Sequence, residues 1–255
     1  MSKVGVITGA AGGIGRATAE MFAKNGWSLV LVDIDDGVTK YADELGRRGV
    51  VAAGIVADVT TEAGCAQVAE TAKQVEGPVK FLGLVAGTLG EVGSVETIAM
   101  AEWDRIFSVN VRANVLMMKQ FVPDLRAAGG GSIVAITSWY GRSGHAFFPA
   151  YCASKAALIS LTQSAAAELA GDNIRVNSVA PGNVATRMHF TALAEEADKR
   201  GISADEMKAI EWAKIPLGRA ADPAEMASAV FFLGTEQGSY FTGATLDANG
   251  GCGFF

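Results

Sequence analysis

What most constrains the fold is an alternation. Short Val/Ile/Leu-rich runs recur at residues 3–8, 28–33, 50–56, 79–85, 132–137, 174–179 and 244–247. Between the first six lie segments with helical periodicity, at residues 14–25, 38–48, 63–75, 103–127 and 152–170. Strands that read as near-continuous aliphatic runs are buried on both faces, and that happens when helices cover a parallel sheet from both sides. The expected fold class is therefore α/β, a doubly wound parallel sheet in three α/β/α layers. At 255 residues, without linkers, repeats or low-complexity tracts, the chain fits one domain spanning residues 1–255. The single long interruption precedes a helical segment at 223–234 and contains two helical pieces, 192–200 and 204–213, split by Gly201. An insertion after a strand end lies over the ligand crevice of such a sheet, so a substrate lid is expected at about residues 184–215.

The turn after the first strand reads Thr8-Gly9-Ala10-Ala11-Gly12-Gly13-Ile14-Gly15 and opens a helix. Glycines there let the backbone approach a pyrophosphate, and the helix N-terminus offers free N–H groups to hold it. The spacing is Gly-x-x-x-Gly-x-Gly, through Gly9, Gly13 and Gly15. Asp33 closes the second strand, where a carboxylate would accept hydrogen bonds from an adenosine ribose. A 2′-phosphate would meet its negative charge, and neither Gly12 nor Ile34 supplies a cation to offset it. NAD is expected over NADP.

Tyr151 and Lys155 stand one helical turn apart in the run that starts the 152–170 helix. An ammonium beside a phenol favours the phenolate, pulling a reference pKa of about 10 toward neutrality, where acid/base work is useful. Ser138 ends an apolar run, thirteen positions before Tyr151.

Net charge is −6 with no basic cluster, which disfavours nucleic acid or an anionic membrane as partner. The apolar run at residues 4–7 is too short for a signal segment, and no run approaches a membrane span. Cys65, Cys152 and Cys252, with His145 and His189, form no metal-ligand spacing, so free thiols, no metal and a cytoplasmic location are expected.

Taken together these residues resemble the short-chain dehydrogenases/reductases in their form of roughly 250 residues. The likeness runs from Lys3 to Gly251 and implies a Rossmann-like fold. It implies cofactor contacts from Gly9, Gly13, Ile14 and Gly15 in the turn, Asp33, Asp58 and Val59 after the third strand, and Ala86 and Gly87. Pro181, Gly182, Val184 and Thr186 resemble the segment that reaches the nicotinamide. Ser138, Tyr151, Lys155 and Asn110 match the family's catalytic set. In the implied chemistry Tyr151 is the general acid/base, Lys155 holds the nicotinamide ribose and lowers the tyrosine pKa, Ser138 orients the reacting oxygen, and Asn110 links Lys155 to solvent. The family's usual Asn-Asn-Ala-Gly is here Leu84-Val85-Ala86-Gly87, so the asparagine bonds that tie neighbouring strands are missing.

Trp139, His145, Phe148 and Met188 are the candidate substrate residues, suited to a hydrophobic secondary alcohol, with Arg142 or Arg187 as possible readers of an anion. The expected activity is an NAD(H)-dependent interconversion of a secondary alcohol and its ketone. Two alternatives stand beside it: an NADPH-dependent 3-oxoacyl-[acyl-carrier-protein] reductase and a non-catalytic NAD-binding regulatory subunit. The resemblance also implies a homotetramer, with Phe254 and Phe255 buried against a partner subunit.

Overall fold

The computed structural model describes residues 2–255. The strands are β1 (Val4–Thr8), β2 (Ser28–Asp33), β3 (Ala52–Val56), β4 (Val79–Leu84), β5 (Gly131–Ile136), β6 (Ile174–Pro181) and β7 (Thr245–Ala248). They form one sheet in the order β3-β2-β1-β4-β5-β6-β7, and every pairing is parallel. The order reverses between β1 and β4, so the connections leave a crevice beyond their C-terminal ends. The expected doubly wound, Rossmann-like sheet is the one observed.

Side-chain alternation along the strands divides the core in two. Val4, Val6, Val30, Val32, Leu82 and Leu84 meet Val68, Met117, Phe121 and Leu158. These come from α3 (Glu62–Lys73), α5 (Ala113–Ala127) and α6 (Pro149–Leu169). On the opposite face Ile7, Leu29, Leu31, Phe81, Val134 and Val179 meet Phe22, Val38, Leu45 and Val230. Those belong to α1 (Gly13–Lys24), α2 (Gly37–Arg47) and α9 (Pro223–Gly234). Two cations end helices by filling their last carbonyls: Lys80 donates to Ala128 O and Gly130 O after α5, and Arg175 to Leu233 O and Thr235 O at the end of α9.

Several expected boundaries move. The helix expected at 103–127 is α4 (Met100–Phe107), a π-helical turn (Ser108–Arg112) and then α5. The helix expected from 152 starts at Pro149, whose missing N–H costs nothing in a first turn. Beyond β6 the excursion consists of α7 (Arg187–Arg200) and α8 (Ala204–Ala213). They are joined through Gly201 at φ 66° and held together by Leu193, Ala197 and Met207.

Candidate active site

A cleft of about 930 Å³ opens at the C-terminal edge of the sheet. Its floor begins at the glycine turn. Gly9 takes φ 68°, and a Cβ at Gly15 would lie 2.0 Å from the Gly9 carbonyl oxygen, so turn and helix close only with glycine at these positions. The N-cap of α1 is Gly12, which has no side chain to cover the first N–H groups of the helix. Those amides face a space that suits a pyrophosphate. Asp33 stands at the rim with its carboxylate oriented by backbone donors, Ala11 N at 2.9 Å and Asp35 N at 3.1 Å. A dinucleotide therefore fits the residues present. Every residue expected to contact it, including Asp58, Val59, Ala86, Gly87, Pro181, Gly182, Val184 and Thr186, lines this cleft.

The missing asparagine pair is replaced from the neighbouring strand. Thr8 Oγ1 accepts hydrogen bonds from Val85 N (3.0 Å) and Ala86 N (3.1 Å) and donates to Gly83 O (3.3 Å). Leu84, freed from that duty, is buried in the core.

At the other end of the cleft Ser138, Tyr151 and Lys155 converge from the end of β5 and the first two turns of α6. Lys155 Nζ donates to Ile136 O at 2.9 Å and lies 5.7 Å from the Tyr151 ring centroid. The electrostatics correct the expectation drawn from the sequence. Burial pushes the Tyr151 phenol up to about 12, with the Ser138 hydroxyl acting the other way, and burial pushes Lys155 down to about 8. Desolvation outweighs attraction because it disfavours both charged forms at once. The chain's own groups thus keep the phenol protonated at neutral pH.

Asn110 is fully buried in the π-helical turn. Its side-chain oxygen accepts from Thr88 N (2.8 Å), and its amide donates to Thr88 O (2.9 Å) and Ser154 Oγ (3.0 Å). Ser154 Oγ in turn donates to Tyr151 O at 2.8 Å. The amide is a clamp between the loop after β4 and the helix bearing Tyr151.

Trp139, Phe148 and Met188 line the cleft. His145 stands behind that wall: its ring stacks on Tyr140 at 3.7 Å and packs edge-on to Trp139 at 4.5 Å. Arg142 does not read a substrate anion, because Asp247 (3.1 and 3.0 Å) and Thr245 O (3.0 Å) occupy its guanidinium. Arg187 lies 4.0 Å from Asp35, at the glycine-turn end. Phe147, which also lines the cleft, is a bulky residue held at φ 68° with its carbonyl accepting from Gly93 N at 3.0 Å. His189, in the lid start whose aromatic residues suit a pocket wall, lines the cleft from α7. Among the described residues no cluster of His, Cys, Asp and Glu suited to a metal occurs, and no helix is long and apolar enough to cross a membrane.

Comparison with known proteins agrees with this arrangement. A family model described as enoyl-(acyl carrier protein) reductase matches residues 9–253. The chain is 36% identical over 252 residues to 2-(S)-hydroxypropyl-CoM dehydrogenase 3 of Xanthobacter autotrophicus, covering 98% of this chain and 96% of the relative. L-sorbose reductase from Gluconobacter frateurii, solved with NADPH and L-sorbose, superposes with a TM-score of 0.93 at 32% identity, over 100% of this chain and 98% of that one. An NAD⁺-bound xylitol dehydrogenase superposes with a TM-score of 0.91 at 30% identity, over 98% of each chain.

Proposed function

The chain belongs to the short-chain dehydrogenase/reductase family, and we propose that it is an NAD(H)-dependent oxidoreductase interconverting a secondary alcohol and its ketone. The observation that carries this reading is one continuous cleft with Ser138, Tyr151 and Lys155 at one end and an oriented Asp33 carboxylate at the other.

In ketone reduction the Tyr151 hydroxyl gives its proton to the carbonyl oxygen; in alcohol oxidation it takes the proton back from the carbinol. A phenol raised to about 12 suits the donor role at neutral pH. Ser138 hydrogen-bonds the same oxygen and orients it. Lys155, anchored on Ile136 O, would hold the nicotinamide ribose hydroxyls of a bound dinucleotide, and its positive charge would ease loss of the tyrosine proton. A bound nicotinamide dinucleotide supplies the hydride for reduction and accepts it in oxidation. The first amides of α1 would hold its pyrophosphate, and Pro181, Gly182, Val184 and Thr186 would back its nicotinamide end. Helices α7 and α8 act as the substrate lid.

Preference for NAD rests on Asp33, whose carboxylate suits two ribose hydroxyls and repels a 2′-phosphate. Initial rates with NADH and NADPH test it: NADH is expected to give the larger kcat/KM, and a larger value with NADPH contradicts the reading. An acyl-carrier-protein reductase would need free cations near the cleft for an acidic carrier. Of the lid cations that line the cleft, Lys214 pairs with Glu211 and Arg200 with Glu196. A non-catalytic subunit would not require Ser138, Tyr151 and Lys155 together. The proposal includes a homotetramer with the exposed Phe254 and Phe255 covered by a partner subunit. A monomer in sedimentation equilibrium would remove that part.

A further inference from the structure

The lid carries a polar group that the reaction does not use. Trp212 on α8 donates its indole N–H to His189 Nε2 on α7 at 3.1 Å, the two rings lying 12° from parallel. An indole N–H can only donate, so Nε2 of the neutral imidazole must accept, and the ring proton is forced onto Nδ1. Burial keeps the imidazole below its ordinary pKa. Among the described residues Nδ1 has no hydrogen-bond partner. Thr18 Oγ1 is the one sealed side-chain polar atom without a partner among those residues, so Nδ1 keeps access to solvent. His189 lines the cleft that Tyr151 and Ser138 share, among the apolar walls of Trp139, Phe148, Met188 and Leu193.

Resting on the oxidoreductase reading, we infer that His189 is a specificity-determining residue whose Nδ1–H donates a hydrogen bond to a second, neutral oxygen on the substrate, a hydroxyl or carbonyl remote from the reacting carbon. Charge around the lid selects neutral over anionic. Lys214 is paired with Glu211, Arg200 with Glu196, and Arg187 lies toward Asp35, while Glu195 also faces the cleft. A carboxylate on the substrate would find the described cleft cations Lys214 and Arg200 already paired, Arg187 out at the glycine-turn end beside Asp35, and Glu195 adding negative charge. A fixed donor in an apolar wall also discriminates against a ketone lacking the second oxygen, because the donor is then desolvated without a partner.

Two measurements test the inference. The chain has two histidines, so a long-range ¹H–¹⁵N spectrum of histidine-labelled protein, assigned with His145→Asn, reads the His189 tautomer without any turnover. Nδ1–H is expected; Nε2–H overturns the inference whatever the enzyme reduces. Next, kcat/KM is compared for cyclohexanone, its 2-, 3- and 4-hydroxy derivatives and 4-oxocyclohexanecarboxylate. At least one hydroxyketone is expected to exceed the parent by about tenfold, the worth of one well-placed bond, and the carboxylate is expected to fall below it. His189→Leu should collapse that ratio, lowering kcat/KM for the favoured hydroxyketone and raising it for cyclohexanone, which no longer strands the donor. Trp212→Phe, which keeps the imidazole but releases its tautomer, should reduce the ratio in part. A ratio unchanged in both variants, or a preference for the carboxylate, overturns the inference. Consumption of neither NADH nor NADPH with any ketone would refute the oxidoreductase reading itself, and the inference with it.

Discussion

Replacing Thr8 by valine keeps the shape of the side chain and removes the oxygen that braces the loop after β4. The hydroxyl satisfies Val85 N and Ala86 N and donates to Gly83 O, and Thr8 is only 2% exposed. Two N–H groups lose their acceptor at about 1–2 kcal/mol each, the low end of the usual range because the loop borders the cleft and water reaches part of it. The added methyl returns about 1 kcal/mol, leaving a net loss of about 1–3 kcal/mol. Urea denaturation followed by tryptophan fluorescence, at one fixed protein concentration, measures it. Thr8→Ser separates the oxygen from the methyl: it keeps the bonds and should cost no more than about 1 kcal/mol. Because residues 85–87 border the dinucleotide cleft, KM for the cofactor should rise in the valine variant while the serine variant stays near the original. A Thr8→Val protein as stable as the parent, or serine and valine variants equally destabilised, would refute the claim that this hydroxyl replaces an asparagine brace.

Asp33→Ala combined with Ile34→Arg should shift the kcat/KM ratio toward NADPH by at least about tenfold, since one repulsive charge is removed and one attractive charge gained; no shift in the ratio would mean that the ribose is read elsewhere. Burial holds Lys155 at about 8 in the folded protein against about 10.5 for an unfolded lysine, so the unfolded chain binds more protons between those limits and native stability must rise with pH across that window. Relative to Lys155→Met, the parent should therefore gain on the order of 3 kcal/mol between pH 7 and pH 10.5; parallel stability curves would show that the ammonium is not desolvated. Asn110→Ala should lower kcat through a displaced Tyr151 helix while leaving the alkaline limb of the pH profile unmoved, and a shifted limb would show a proton-relay role for the side chain.

The seven strands and their alternation with helices were legible because a sheet buried on both faces leaves an aliphatic signature in each strand. The glycine turn and Asp33 were legible from local spacing, and Ser138, Tyr151 and Lys155 were grouped by the family resemblance and lie at one end of the cleft. Features that depend on long-range contact were not. Thr8 meets Val85 across 77 positions and Arg142 meets Asp247 across 105, and neither sequence neighbourhood announces its partner. The π-helical turn at Ser108–Arg112 keeps helical composition, so periodicity reads straight through it. The direction of the Tyr151 shift was misjudged because a one-turn spacing reports proximity of charges but says nothing of the desolvation that outweighs it. His189 and Trp212 come together only when the chain folds back at Gly201.

The most direct test of the central claim is turnover by Tyr151→Phe, measured alongside NADH binding by fluorescence titration. Loss of ketone reduction by a factor of about 10³ or more, with the NADH dissociation constant changed less than about threefold, is the predicted result for a residue that supplies only the proton. Reduction at near-parental rates in a variant that still binds NADH would contradict the account, because the proton would then have to come from another group.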